Sequence, residues 1–421
     1  MKIKSLLQKN RRNSLTVLAF VVVVAAGYFL SPVLSPETKS LSQNDDTVLI
    51  SAEKALPEDA EADVVQDKDG KELLTPGLRE KIGQMLVIGF RGTDLSQASF
   101  ISGALDDLKP GGVILFDFDV PSQSFPRNIV NSEQVKKLIA DLQSGSSVPL
   151  FVAVDAEGGA VNRLKSKYGF IDVPSAQQMG KESADNTRLQ GETLGKELAY
   201  LGFNLDFAPV VDVNVNPQNP VIGKIGRSFS IEPQAVIEHA AAFIKGLEKY
   251  QIITSIKHFP GHGSSASDSH KGITDITESY KAPELWPFQE LIKSGLAETV
   301  MVGHLVNKNI DSEFPATLSK IFINKILKQD LGFDGVVVCD DLQMGAITQN
   351  YGLEEAAVRM VAAGCDLLII SNNVGVYDET APYKARDAIL RAVESGGISK
   401  DSIEASFIKI ENLKKKFGII E

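Results

Sequence analysis

The sequence predicts an α/β fold organised as a single (β/α)8 TIM-type barrel. Eight short apolar runs rich in β-branched residues recur along the chain, and segments with helical character separate most of them. The runs lie at 85–90, 111–116, 149–155, 203–210, 254–259, 299–305, 335–341 and 366–371. Continuous apolar strands that alternate with helices indicate a parallel sheet buried on both faces. Eight such strands match a closed barrel.

The predicted helices and the absence of nucleotide-binding strings favour the barrel over an open sheet. The clearest helices are predicted at 131–143, 187–201, 232–250 and 318–331. A doubly wound open sheet would show the same alternation of strands and helices. However, no GxGxxG follows the first strand, and neither GxxxxGKS nor GxxxxGKT occurs in the sequence.

The first 74 residues predict an export or anchor segment followed by a linker. Residues 1–14 carry five basic side chains and no acidic one, and residues 15–34 carry no charge. Basic residues before such an apolar run are typical of a signal peptide or of a single transmembrane anchor, and both remain open for residues 1–34. The acidic residues 35–74 predict a flexible, disordered linker, which leaves 75–421 as the barrel domain.

This charge pattern also predicts where the barrel domain is located. Basic residues beside an apolar segment stay on the cytosolic side, so the chain after residue 34 should be exported. If the segment is retained, residues 15–34 would contact the inner membrane and the domain would face the periplasm or the outside. If the segment is cleaved, the domain would be periplasmic or secreted.

Composition and charge exclude several classes of protein. The chain has 421 residues, 54 of them acidic and 43 basic, and the net charge of -11 argues against binding to nucleic acid. Two cysteines, Cys339 and Cys365, cannot form a disulfide framework or a four-thiolate zinc site. Because HExxH is also absent, no metal and no cofactor are predicted. Side chains alternate along a strand, so Cys339 should face the helix layer, and we expect no Cys339–Cys365 disulfide.

Polar residues follow six of the eight predicted strands, at the end of the barrel where active sites lie. They are Asp155, Glu157, Asp212, Asn214, Lys257, His258, His262, His304, Asp340, Asp341, Ser371, Asn372 and Asn373. One polar residue at a strand end is usually a capping or core group. Polar residues at six strand ends on one side of the barrel indicate a functional site.

One of these polar residues, Asp340, and two residues of a nearby loop, Asp268 and His270, have the side chains for nucleophilic and acid–base chemistry. Asp340 ends an apolar run, where a carboxylate in a half-buried pocket can act as a nucleophile or stabilise charge. Asp268 and His270 lie two residues apart in a Gly/Ser-rich loop, where the carboxylate can orient the imidazole as a general acid/base. For Asp341 we expect a helix N-cap. Donors and an acceptor suited to a hydroxyl-rich ligand come from Asp155, Arg163, Arg227, Lys257 and His258.

Six strings in the barrel domain resemble a known family. They are DAEGG (155–159), FAPVVDVN (207–214), RSF (227–229), KHFPGHG (257–263), DSH (268–270) and DDLQM (340–344). Together they resemble glycoside hydrolase family 3, in its bacterial β-N-acetylhexosaminidase branch, in the family's order and spacing. The sequence departs from the usual pattern at Ala160, at Ser264 and Ser265, and at Cys339, and none of these changes removes a candidate catalytic group.

The resemblance implies a fold, an activity and a role for each candidate residue. It implies a barrel that removes terminal β-linked N-acetylglucosamine, with retained stereochemistry, from cell-wall-derived or related glycans. It implies that Asp340 is the nucleophile, His270 the acid/base and Asp268 the partner of the histidine. It also implies that the terminal sugar is held by Asp155, Arg163, Arg227, Lys257 and His258.

Three alternatives remain open at this point. A histidine acid/base adds no second negative charge, so it would not repel phosphate, and a family 3 glycoside phosphorylase is the nearest rival enzyme. A β-glucosidase is a further possibility within the family. The rival from another class is an inactive, membrane-tethered glycan-binding protein, although the presence of both Asp340 and His270 argues against it.

Overall fold

The apolar runs of the sequence form the strands of a closed barrel. The structure is a computed structural model that describes residues 63–66, 72–96 and 98–421. Its strands are β1 (Asp63–Gln66), β2 (Glu72–Thr75), β3 (Leu86–Gly89), β4 (Gly112–Ile114), β5 (Phe151–Val154), β6 (Ala156–Gly158), β7 (Val161–Asn162), β8 (Leu205–Asp206), β9 (Ile253–Phe259), β10 (Thr274–Asp275), β11 (Thr299–Val302), β12 (Leu305–Val306), β13 (Val336–Cys339) and β14 (Leu367–Ile370).

Eight of these strands are parallel and surround one core. Around the barrel the order is β3, β4, β5, β8, β9, β11, β13 and β14, and β14 pairs again with β3. Each predicted run coincides with one barrel strand, so the predicted barrel is confirmed. Every residue of the eight strands is buried. Burial on both faces explains why most of the runs are apolar at successive positions instead of alternating, with β8 and β9 as the strands that bring polar residues inward.

Helices separate the barrel strands and cover the outside of the barrel. They are α1 (Leu78–Gln84), α2 (Ser99–Asp107), α3 (Ser132–Ser144), α4 (Ala176–Met179), α5 (Ala184–Leu201), α6 (Pro233–Glu248), α7 (Trp286–Lys293), α8 (Gly345–Thr348), α9 (Leu353–Ala363), α10 (Ala381–Glu394) and α11 (Lys400–Lys416). Three of the four predicted helices correspond to α3, α5 and α6, and the fourth is a π-helical segment, Ile321–Asp330. Short 3-10 turns lie at Ser166–Tyr168, Ala282–Leu285 and Ala316–Leu318.

Helices α5 and α6, which precede β8 and β9, pack closely because glycines lie at their contact. A β-carbon on Gly191 would lie 2.6 Å from the carbonyl oxygen of Phe243, and one on Gly246 would lie 2.5 Å from that of Arg188. Both distances are too short for any larger side chain. The glycines thus permit α5 and α6 to pack closely against each other. These two helices lie before the strands that carry Asp206 and Lys257.

The base of the barrel contains a buried lysine. Lys414 of α11 is 1% exposed and donates to the side-chain oxygen of Gln84 at 2.9 Å and to the carbonyl oxygen of Pro149 at 2.7 Å. These acceptors precede β3 and β5, so the amine connects α11 to the N-terminal end of the barrel. Burial lowers the pKa of Lys414 to about 7.

The expectation of no disulfide is wrong, because the structure joins Cys339 and Cys365. Cys339 ends β13, and Cys365 lies two residues before the start of β14, the strand that pairs with β13. Their α-carbons are 5.9 Å apart, within the range that a disulfide spans. Cys339 does face away from the barrel interior, as strand alternation predicts, and that orientation directs it toward the segment between α9 and β14.

The predicted anchor or signal segment, residues 1–34, lies outside the described residues, as does most of the predicted linker. Within the end of that linker, β1 and β2 form an antiparallel pair with Asp63 opposite Thr75, which the acidic composition did not predict. Among the described helices, none combines the length and apolar character needed to cross a bilayer.

Candidate active site

A cavity of about 650 Å³ opens at the C-terminal ends of the barrel strands. Seven of the eight predicted site residues line it: Asp155, Arg163, Arg227, Lys257, His258, His270 and Asp340. The eighth, Asp268, is hydrogen-bonded to His270. The structure therefore brings the residues predicted from separate strand ends to one place.

Five charged residues form a connected group at one side of the cavity, and all but Glu157 line it. We call them the charge cluster: Asp155, Glu157, Arg163, Arg227 and Lys257. Lys257 Nζ lies 2.9 Å from Asp155 Oδ1 and 2.7 Å from Glu157 Oε1. Arg227 donates two hydrogen bonds to Glu157, at 2.8 and 2.7 Å, and Arg163 donates to Asp155 at 3.3 Å. The cluster presents carboxylate oxygens and N–H groups to the cavity, a combination suited to sugar hydroxyls.

The cations keep both carboxylates of the charge cluster ionised. Burial acts to raise the pKa of Asp155, but Lys257 and Arg163 outweigh it and hold that pKa below its usual range. Burial likewise opposes Arg227 and Lys257 at Glu157, yet these cations lower the pKa of Glu157 to about 2. The carboxylates in turn raise the pKa of Lys257 despite its burial. Pairing of this kind is what permits charges to be buried.

Asp212, which follows β8, orients two histidines. Its carboxylate lies 2.8 Å from His258 Nδ1 and accepts the backbone N–H groups of His258 and His262 at 3.2 and 2.7 Å. Arg227 lies 3.3 Å from His258 Nε2, so the two ring nitrogens of His258 have polar partners on opposite sides. Burial, aided by His258, lowers the pKa of His262 to about 4 and keeps this ring neutral.

Asp340 follows β13 directly and is ionised at neutral pH. Its Oδ1 accepts the N–H of Asp341 at 2.8 Å. Burial acts to raise the pKa of Asp340, but the imidazoles of His304, His258 and His270 outweigh it and lower that pKa. An ionised carboxylate that faces a cavity has the form required of a nucleophile.

Asp341 does not cap the following helix, so the N-cap expectation is wrong. Met344 occupies the N-cap position of α8. Asp341 instead accepts the N–H of Gln343 at 3.1 Å and the hydroxyl of Ser371, and it connects the turn after β13 to the loop after β14. Its carbonyl oxygen accepts a hydrogen bond from His304 Nε2 at 2.9 Å. The two aspartates that end β13 thus have different tasks: Asp340 faces the cavity and Asp341 fixes the backbone.

Asp268 and His270 form the pair that their spacing predicts. Asp268 Oδ1 lies 2.9 Å from His270 Nδ1 and also accepts the backbone N–H of His270 at 3.0 Å. The hydrogen bond from the His270 ring is the largest influence on Asp268 and lowers its pKa to about 2. The His270 side chain is 55% exposed. With Nδ1 directed at the carboxylate, Nε2 is the ring nitrogen left for proton transfer.

Backbone hydrogen bonds connect the loop that carries His270 to the segment after β13. The N–H groups of Gly345 and Ala346 donate to the carbonyl oxygens of His270 and Ser269, each at 3.2 Å. The Ser269 hydroxyl lies 3.3 Å from His262 Nε2. The loop therefore has contacts on both sides, with the segment after Asp340 and with the Asp212-oriented His262.

Asp206 of β8 is a buried carboxyl next to the charge cluster. Its Oδ1 accepts the N–H of Ala156, the residue between Asp155 and Glu157, at 2.9 Å. Within the described residues its Oδ2 has no hydrogen-bond partner. Burial is the main reason that the pKa of Asp206 is raised to about 8. Asp206 is therefore protonated at neutral pH, unlike the two ionised carboxylates beside it.

Two residues of the site, Glu157 and Asp212, were recognised as polar strand-end residues, but they were assigned no role from the sequence. The balance of positive and negative charges at the strand ends could have pointed to them. Three cations near one cavity need more than the single carboxylate of Asp155, and buried charges are seldom unpaired. Across residues 63–66, 72–96 and 98–421, no group of three or more His, Cys, Asp or Glu side chains is arranged to hold a metal ion.

Comparison with solved structures agrees with this architecture. A glycoside hydrolase family 3 β-N-acetylglucosaminidase from Paenibacillus sp. superposes with a TM-score of 0.75 at 34% identity, over 82% of this chain and 63% of that one. A β-N-acetylhexosaminidase from Beutenbergia cavernae gives a TM-score of 0.71 at 26% identity, over 81% of this chain and 99% of that one.

Comparison with other sequences identifies the family. A beta-hexosaminidase of Mycobacterium tuberculosis is 32% identical over 352 residues, which cover 81% of this chain and 83% of that protein. Beta-hexosaminidase A of Pseudoalteromonas piscicida is 30% identical, and this chain spans 61% of its length. Residues 77–413 match the family described as glycosyl hydrolase family 3 N terminal domain. The chain therefore belongs to glycosyl hydrolase family 3.

Proposed function

We propose that this chain is a retaining exo-β-N-acetylglucosaminidase, which hydrolyses terminal β-linked N-acetylglucosamine through a covalent intermediate on Asp340. The observation that carries the proposal is one cavity lined by the ionised carboxylate of Asp340 and by the imidazole of His270, which is hydrogen-bonded to Asp268. The names of the related hexosaminidases support the choice of sugar. An inactive glycan-binding protein would have no need of both groups.

The charge cluster supplies the contacts that hold the terminal sugar. Asp155 and Lys257 meet at the cavity surface, and Arg163, Arg227 and His258 line the same side. Their N–H groups and carboxylate oxygens can exchange hydrogen bonds with several sugar hydroxyls at once. Because the cluster is already paired and buried, it is ordered before the sugar binds, and little side-chain freedom is lost on binding.

The proposed reaction has two steps. In the first, an Asp340 oxygen forms a bond to the anomeric carbon while the bond to the leaving oxygen breaks, and His270 gives its proton to that oxygen. In the second, His270 takes a proton from water, the water oxygen bonds to the anomeric carbon and Asp340 is released. Two inversions give net retention. Asp268 stabilises the imidazolium form of His270 and so supports the proton transfer.

The proposal is tested by turnover of 4-nitrophenyl β-N-acetylglucosaminide. We expect the wild type to release free N-acetylglucosamine, first as the β-anomer by NMR, and Asp340→Ala to lose activity by about 10⁴-fold or more. Asp334→Asn, which changes an exposed carboxylate between the π-helical segment and β13, serves as the matched control and should be unaffected. A first product of α-configuration would contradict retention, and N-acetylglucosamine 1-phosphate formed in phosphate buffer would instead identify a phosphorylase.

We also propose that the domain acts outside the cytosol on cell-wall-derived or related glycans. The support is the basic segment 1–14 followed by the uncharged segment 15–34. The full chain should fractionate with membranes if the segment is retained, or be found shortened and soluble outside the cytosol if it is cleaved. N-terminal sequencing of the mature protein distinguishes the two, and an intact chain that is soluble in the cytosol would exclude both.

A further inference from the structure

Two loops at the mouth of the cavity take no part in the proposed machinery. The loop after β4 contributes Phe118 and Val120 to the cavity lining, and the loop after β14 contributes Asn373 and Val374. We call these four residues the mouth wall. Phe118 and Val120 are 37% and 41% exposed, so two apolar side chains of one loop are available at the cavity mouth.

The mouth wall is one connected unit. Asn373 accepts the N–H of Val120 at 2.9 Å and donates to the carbonyl oxygen of Phe118 at 3.1 Å. Behind it, the fully buried side chain of Arg127 pairs with Asp119 at 2.7 Å and donates to the carbonyl oxygen of Asn372 at 3.0 Å. These bonds connect two loops more than 240 residues apart in sequence. The wall is therefore held in place before any ligand binds.

The position of the mouth wall in the barrel suggests what it contacts. The charge cluster lies on or after β5, β8 and β9, and Asp340 follows β13. A terminal sugar held by the cluster, with its anomeric carbon at Asp340, would occupy that part of the cavity. The adjacent part, bounded by β14, β3 and β4, is left for the group on the far side of the scissile bond.

The charges around the cavity indicate the chemistry of that group. The mouth wall itself has no charged side chain, since three of its four residues are apolar and the fourth, Asn373, is an amide. Each lysine or arginine that lines the cavity is paired with a carboxylate, including Lys165, which lies 2.5 Å from Asp117. Asp119 behind the wall is paired with Arg91 as well as Arg127. A leaving group with its own carboxylate would find no unpaired cation among the described lining residues.

We propose that the mouth wall is the leaving-group subsite, and that it selects a neutral sugar, such as a second N-acetylglucosamine, over a sugar that carries a carboxylate. The proposal rests on the proposed function. Phe118 and Val120 would contact the apolar C–H face of the pyranose ring. Phe118 is the main specificity-determining residue, and Asn373 and Arg127 are positioning residues that hold its loop.

The first test compares two phenylalanines of the same loop. Phe118→Ala should lower kcat/KM for N,N′-diacetylchitobiose about tenfold, while the inhibition constant of free N-acetylglucosamine, which fills only the terminal-sugar site, stays within about twofold. Phe125→Ala is the matched control, since Phe125 is 42% exposed and stacks on Tyr168 at 4.5 Å, and it should change neither value. Equal losses in both measurements, or none in either, would overturn the assignment.

The second test addresses charge. Wild type should have a higher kcat/KM for diacetylchitobiose than for the disaccharide of N-acetylglucosamine and N-acetylmuramic acid, whose lactyl group carries a free carboxylate. Equal or faster hydrolysis of the anionic disaccharide would overturn the selectivity. If the wild type hydrolyses no glycoside, the proposed function fails, and the subsite is tested by calorimetry instead. Weaker binding of chitobiose to Phe118→Ala than to wild type would still support the subsite, and unchanged binding would refute it.

Discussion

The buried carboxyl of Asp206 should make stability depend on pH in a predictable direction. Its ordinary pKa of 3.8 is raised to about 8, chiefly by burial. Between these values the unfolded chain has lost the proton and the folded chain retains it, so folding binds one proton. The contribution of Asp206 to the free energy of unfolding therefore falls as pH rises, by about 1.4 kcal/mol per pH unit at most, and levels off above pH 8.

Asp206→Asn removes this titration with little change of shape. Asparagine keeps an oxygen to accept the N–H of Ala156 and replaces only Oδ2, which has no hydrogen-bond partner within the described residues. The free energy of unfolding in urea would be measured for the full chain at pH 5, 6, 7 and 8. The difference between variant and wild type should move in favour of the variant as pH rises.

The matched control for this experiment is Asp334→Asn, which changes an exposed carboxylate. Its difference from the wild type should be nearly constant over the same pH range. The reasoning would be refuted if the Asp206→Asn difference were equally constant, because Asp206 would then be ionised in the folded protein despite its burial.

Three further predictions follow from other parts of the structure. Reduction should raise the intact mass by two hydrogens and destabilise the fold by about 3 kcal/mol, since Cys339 and Cys365 are 26 residues apart; an unchanged mass would contradict the disulfide. The pKa of Lys414 is lowered to about 7, so its contribution to the free energy of unfolding should rise from pH 7 to 10. The loss of unfolding free energy in Lys414→Met, measured in urea, should therefore grow over that range. A constant loss would contradict the lowered pKa. His270→Ala should reduce kcat/KM by about 10²-fold or more for poor leaving groups and less for 4-nitrophenolate, with Asp268→Asn acting in the same direction; equal losses for all leaving groups would exclude an acid role.

The barrel could be predicted from the sequence because each of its strands is buried on both faces. Such strands give continuous apolar runs, and helices with a clear apolar stripe lie between them. The hairpin of β1 and β2 could not be predicted in the same way. It pairs two four-residue strands within an acidic segment, and each strand has only two apolar residues, too few to mark a buried strand.

The site could be predicted in part, for reasons that differ between residues. Residues such as Asp340 were identifiable because strand ends converge in a barrel, and the Asp268–His270 pair because two residues two apart can contact each other. Asp212 and Glu157 act on partners at least 46 residues away, and nothing local in the sequence marks such contacts.

The disulfide was missed for a related reason. Strand alternation gave the correct orientation of Cys339, but the bond depends on how close the segment before β14 comes to the end of β13. The distance between the two cysteines depends on how the adjacent strands β13 and β14 and the helix between them pack. It cannot be deduced from the sequence around either cysteine.

Covalent trapping tests the central claim most directly. The reagent is a 5-fluoro analogue of N-acetylglucosaminyl fluoride. Its fluorine at C5 destabilises the positive charge of both transition states and slows both steps, whereas the anomeric fluoride is a good leaving group and speeds the first step only. The covalent intermediate therefore forms faster than it is hydrolysed. We predict that peptide mass spectrometry of the trapped full chain will find one fluorinated sugar, attached to Asp340. A sugar attached to any other residue, or rapid turnover with no adduct at any time point, would contradict the assignment of Asp340 as the nucleophile.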